Sequence, residues 1–186
     1  MSASVLDHLH LAYRLLWNKR REVAAIELLV DTTPAAMGID ARHLLAVLAE
    51  LWPARAPQLL LTVRHPALLL DLLVHGRADG PWITLSSEAL ADPVLGPRAQ
   101  QARARGLPLV GPCRADAPPA PSAPTHRPHC YALATPQELA QLPTGQILLA
   151  PERRTDAAAA LDRQQAWAVA GWPIEDVLHR NKGQPL

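Results

Sequence analysis

Apolar residues in this chain fall into short blocks, some with strand-like and some with helical spacing, separated by polar or proline-bearing breaks. Val23–Val30 is an eight-residue apolar run interrupted only by Glu27. Its length and content favour a buried strand, and a charge inside such a strand needs a partner. The preceding Ala12–Trp17 block and the polar Asn18–Glu22 step make the pair a hairpin. Asp40–Trp52 places Leu44, Leu45, Val47, Leu48 and Leu51 at helical spacing, with Asp40 as N-cap and Pro53 as the stop.

The alternation continues. Gln58–Arg64 reads as a buried strand, Pro66–His75 as a short apolar helix, and Pro81–Leu85 as another strand. Ser86, Ser87 and Glu88 open a helical stretch running through Arg105, which Gly106 closes. Leu107–Val110 is strand-like again. Strand and helix in turn over the first 110 residues is the pattern of βα units around a parallel sheet. Between Pro112 and Pro128, six prolines and no apolar period predict a loop or connector. Order is expected to resume at His129–Leu133, with a helix over Pro136–Leu142 and a strand over Gly145–Leu149. Thr155 is placed to cap a helix from Asp156 to Ala170, and Ile174–His179 to make a final turn.

Composition narrows the function. Hydrophobic residues at 49% and charged residues at 19% indicate a globular chain. Two cysteines, Cys113 and Cys130, are too few for a disulfide framework. A net charge of +1 supplies no general attraction to nucleic acid or anionic membrane. Phenylalanine is absent, which argues against stacking platforms for single strands. The first ten residues lack the order of a signal peptide, and no apolar run is long enough to span a bilayer, so the cytoplasm is the expected location.

The segment from Tyr13 to Val30 resembles the opening of bacterial EAL domains: a tyrosine strand, a polar turn, then a strand bearing the signature, which here reads Glu27, Leu28, Leu29. Leu59–Pro66 sits where that family has a strand ending in asparagine, followed by proline. Ile83–Leu90 is similar to its Glu-Leu-Thr-Glu strand and the helix after it. Ala102–Val110 resembles the helix, glycine and strand preceding its paired aspartates, and Ala134–Leu139 and Gly145–Pro151 are similar to its closing segments. The degenerate EAL-like halves that precede HDOD domains in some signalling proteins are also similar.

The resemblance implies a TIM-like barrel that handles cyclic di-GMP. The chain is shorter than a full EAL domain and lacks a match for the strands between Val110 and His129. The expected fold is therefore α/β, a shortened or incomplete TIM-like barrel over residues 1–151, with a C-terminal helical extension over 152–186. Carried over residue by residue, the family's site leaves Glu27 as its one convincing survivor. The asparagine position falls at Thr62 or Val63, the glutamate position at Thr84, and the paired aspartates near Gly111 and Pro112. Metal-assisted phosphodiester hydrolysis needs several oxygen ligands converging on the ions, so a catalytically inactive module without cofactor is expected.

Other residues carry weaker chemistry. Glu27 is read either as a ligand-holding group or as a vestigial carboxylate satisfied by a neighbour. Arg64, at the end of a strand, is placed to pair with Glu27 or meet a phosphate, or to be a surface arginine. Cys113, His126, His129 and Cys130 have the donor types of a zinc site, but the adjacency of the last two fits no known finger. Trp167, Trp172 and Ile174 either pack on the domain or anchor a partner or a second copy of the chain. Binding of a protein, with cyclic di-GMP as a further candidate, ranks above a divergent metal-dependent phosphodiesterase and a purely structural subunit.

Overall fold

The structure is a computed structural model, and it describes residues 9–32, 40–112, 130–132, 146–148, 161–162 and 166–170. Its strands are β1 (Leu9–Trp17), β2 (Val23–Thr32), β3 (Gln58–Val63), β4 (Trp82–Thr84), β5 (Leu109–Pro112), β6 (Cys130–Ala132), β7 (Gln146–Leu148) and β8 (Ala166–Ala170). The fully described helices are α1 (Ala41–Leu51), α2 (Pro66–His75), α3 (Ser87–Ala91) and α4 (Leu95–Ala104). The chain divides into two compact units. One comprises Met1–Tyr13 and Ile26–Val110, the other Arg14–Ala25 and Gly111–Leu186.

The first unit contains three parallel strands, β3, β4 and β5, covered by helices. Strands β3 and β4 pair through Leu60 with Trp82, Leu61 with Ile83 and Thr62 with Thr84, and β4 pairs with β5 through Ile83 with Leu109 and Thr84 with Val110. Alternate residues of a strand point to opposite faces. Leu59, Leu61, Val63, Ile83, Leu85 and Leu109 accordingly join one apolar core with Leu44 of α1, Leu68 and Leu72 of α2, and Leu95 and Ala99 of α4.

Local signals start and stop these helices. Asp40 accepts from Arg42 N at the start of α1, His65 caps α2 ahead of Pro66, and the Ser86 hydroxyl accepts from Ala89 N before α3. Gly106, at φ 87°, takes the left-handed conformation that closes the α4 segment. Arg105 reaches back to the last turn of α2, donating to the carbonyl oxygens of Leu73 and Val74. It thereby satisfies acceptors that a helix end leaves unpaired.

The second unit contains the hairpin turn and the later strands. Asn18 Oδ1 accepts from Arg20 N at 2.8 Å and Glu22 N at 3.1 Å, while Arg21 adopts φ 62°. Strands β5 with β6, β6 with β7, and β7 with β8 pair in parallel. β8 runs antiparallel to β1, with Leu16 opposite Ala170 and Trp17 opposite Val169.

These features correct the expected fold. A TIM-type barrel has all its strands parallel, each followed by a helix. In the second unit β8 instead runs antiparallel to β1, so the described strands are not all parallel. The C-terminal extension is not simply helical. Leu161 and Asp162 are helical, but Ala166–Ala170 forms β8, with Ala166, Ala168, Val169 and Ala170 buried. Alanine favours a helix by well under 1 kcal/mol per residue over most other residues, a bias that sheet pairing on both sides overrides.

The helix expected from Ser86 to Arg105 is also two helices. Asp92 and Pro93 separate them, and Asp92 Oδ1 accepts from Val94 N and Leu95 N, each at 2.8 Å. The bonds from Leu95 and Val94 hold the Asp92 carboxyl below the usual carboxylate range. The Pro112–Pro128 connector, the Pro136–Leu142 helix and the Ile174–His179 turn lie almost wholly outside the described residues.

Candidate functional site

The face of the first unit's sheet turned away from the helices carries the candidate site. Because Leu59, Leu61 and Val63 point toward the helices, Leu60 and Thr62 point the other way, as do Trp82 and Thr84 on the neighbouring strand. On β2, Val30 belongs to the helix-side core and Leu28 packs against it, which turns Glu27 to the opposite face. Glu27 is fully buried, and its Oε1 accepts a hydrogen bond from Thr62 Oγ1 at 2.6 Å. This is the separation of a strong O–H···O bond.

Thr84 stands beside Thr62 in strand register and is 6% exposed. Its hydroxyl has no hydrogen-bond partner among the described residues. Thr62 is the next-to-last residue of β3 and Thr84 the last of β4, at the carboxyl ends of parallel strands, where α/β folds bind their ligands. One carboxylate and one hydroxyl thus meet, with a second hydroxyl on the neighbouring strand. This set does not fit a pair of divalent ions, which call for several carboxylate or amide oxygens. Among the described residues there is no group of three or more histidine, cysteine, aspartate or glutamate side chains placed to hold a metal.

The two positions that the resemblance offered for the family's asparagine lie on opposite faces. Thr62 faces Glu27, whereas Val63 is buried in the helix-side core. Counting parity along Gln58–Val63 against that core would have shown this from the sequence, since the two positions cannot share a face. Thr84 was named from the resemblance, but that its hydroxyl is buried without a partner among the described residues depends on what surrounds it.

Arg64 lies just past the end of β3 and is exposed. Its backbone N–H donates to Val30 O at 3.1 Å, tying the two strand ends. Its side chain lines a cleft of about 220 Å³ with His10, Leu11, Leu29, Val30 and Asp31. A larger cleft of about 450 Å³ lies between Trp52 of the α1 end and the segments that lead into β3 and β4, with Leu45, Leu48, Pro57 and Pro81 in its walls. That cleft adjoins the amino ends of the strands, the end of a parallel sheet that α/β ligand sites do not favour. Trp167 is half-buried within β8, while Trp172 and Ile174 lie outside the described residues. Of the zinc candidates, only the backbone of Cys130, in β6, is described. Cys113, His126 and His129 lie outside.

No family model and no curated protein matches this chain. Among solved structures, the chain is similar in fold to Klebsiella pneumoniae BlrP1 in its complex with calcium and cyclic di-GMP, at 14% identity and a TM-score of 0.56. The likeness covers 93% of this chain and 57% of that one, so this chain spans a little over half of BlrP1. No described helix is long and apolar enough to cross a membrane.

Proposed function

We propose that this chain is an EAL-like module of cyclic di-GMP signalling that acts by binding and does not hydrolyse the nucleotide. The observation carrying this reading is the Glu27–Thr62–Thr84 set. A single carboxylate is bonded there by the Thr62 hydroxyl, with Thr84 on the neighbouring strand, and both threonines stand at positions where the family resemblance puts amide and carboxylate ligands. A hydroxyl is a weaker ligand than a carboxylate and brings no negative charge, so the set lacks the charge to gather two divalent ions. The resemblance of Tyr13–Val30 to EAL domains and the fold likeness to a protein solved with cyclic di-GMP support the choice of ligand. The output of such a module is contact with another protein, since binding without turnover signals only through a partner.

Calorimetric titration with cyclic di-GMP, with and without calcium or magnesium, tests the reading when the recovered nucleotide is then chromatographed. Binding with the nucleotide returned intact is the expected result. Linearised product that disappears in Glu27→Gln would overturn the inactive-module reading in favour of a divergent phosphodiesterase. Absence of heat would remove the nucleotide and leave a protein-binding module.

A further inference from the structure

A second polar cluster lies away from the Glu27 face, where the start of α1 meets the end of α2, and it goes beyond the proposed function. Asp71 and His75 are one helical turn apart on α2, and His75 Nε2 lies 3.2 Å from Asp71 Oδ1. The other carboxylate oxygen, Asp71 Oδ2, accepts from Ala41 N at 2.9 Å, holding the first residue of α1. From the next residue, Arg42 Nε donates to His75 Nδ1 at 3.3 Å. The imidazole thus accepts from the guanidinium at Nδ1 and lies beside the carboxylate at Nε2, and it links the two helices.

This arrangement specifies a protonation state. Guanidinium has donors only, so Nδ1 must act as acceptor, and the carboxylate requires a donor at Nε2. Neutral imidazole with its proton on Nε2 meets both demands. Protonation turns Nδ1 into a donor facing another donor and sets two cations against each other at 3.3 Å. Asp71 can keep an imidazolium, but Arg42 cannot. Of the charged groups on the packed helices, Arg42 and Asp71 touch the imidazole, and Arg105 bonds the Leu73 and Val74 carbonyls of the same turn. Asp40, His43 and Arg103 are further charged or titratable groups of the facing helix ends.

We propose that Arg42, His75 and Asp71 form a pH-operated latch between α1 and α2, closed while His75 is neutral and opened at Arg42 when it is protonated. The Arg42 contact is present above the titration of His75 and is lost as pH falls through it. The Ala41–Asp71 bond does not titrate with the imidazole, so opening frees one side chain while the helix start stays tied.

The test is nitrogen-15 NMR of the full chain, titrated from about pH 8 to about pH 5, where imidazoles change charge. At the alkaline end His75 is expected as the Nε2–H tautomer, with a protected Arg42 Nε–H signal. That signal should lose its protection with the same midpoint as His75. Arg42→Gln removes the donor to Nδ1 and should uncouple the His75 titration from the α1 start, while Asp71→Asn should leave the Arg42 signal in place at alkaline pH. An Nδ1–H tautomer at alkaline pH or an Arg42 signal unmoved through the His75 titration would each overturn the latch.

Discussion

The two faces of the first unit's sheet are built from the same strands and differ in nearly every chemical respect. One presents Leu59, Leu61, Val63, Ile83 and Leu85 to three helices and is apolar throughout. The other sets Glu27, Thr62 and Thr84 among Leu60, Trp82 and Val110, burying a carboxylate completely. A helix-covered face holds the fold together by area removed from water. The opposite face carries polar groups that contribute to stability only as far as they are paired, so its composition answers to something other than packing.

The contrast can be broken experimentally, and the largest effect belongs to the helix side. Leu61→Ala should lower unfolding free energy by about 2–5 kcal/mol in chemical denaturation. A loss below about 1 kcal/mol would mean that this face is not the close-packed one. Glu27→Ala should come next, at about 1–3 kcal/mol, because it removes the acceptor of a half-buried Thr62 hydroxyl. A double-mutant cycle with Thr62→Val should show the two changes to be coupled, and additive losses would mean the 2.6 Å contact contributes nothing. The smallest effect is expected for Thr84→Val, which exchanges a buried hydroxyl without a described partner for a methyl group. Its stability should stay within about 1 kcal/mol of the parent or rise slightly. A larger loss would show that a water or ligand engages that hydroxyl and would tie the site more closely to binding.

Much of the first unit was legible in the chain. There, α1 with its Asp40 cap, β3, α2 and β4 follow from short apolar runs bounded by proline and capping residues, and in the second unit the Asn18–Glu22 turn follows from its polar step. Gly106 marked the end of α4, as its positive φ requires. Glu27 stood out as a charge within an apolar run and is fully buried. The break at Asp92 and Pro93 was missed, although an aspartate that accepts from the next amides, followed by a proline, is a start signal. Uniform helical composition on either side hid it. β8 was not legible, because Ala166–Ala170 carries no polar alternation that would distinguish a strand from a helix.

The sequence by itself determined where elements start and stop in the first unit, because caps, prolines and glycines act through bonds within a few residues. It also determined that a carboxylate would need a partner inside β2. Tertiary structure alone decided which partner, since Thr62 lies 35 positions away and meets Glu27 only when β3 is laid down in its register. It likewise decided that Ala166–Ala170 pairs with β1 and β7. Local propensity is worth tenths of a kilocalorie per residue, and a sheet that offers hydrogen bonds on both edges of a segment outweighs it.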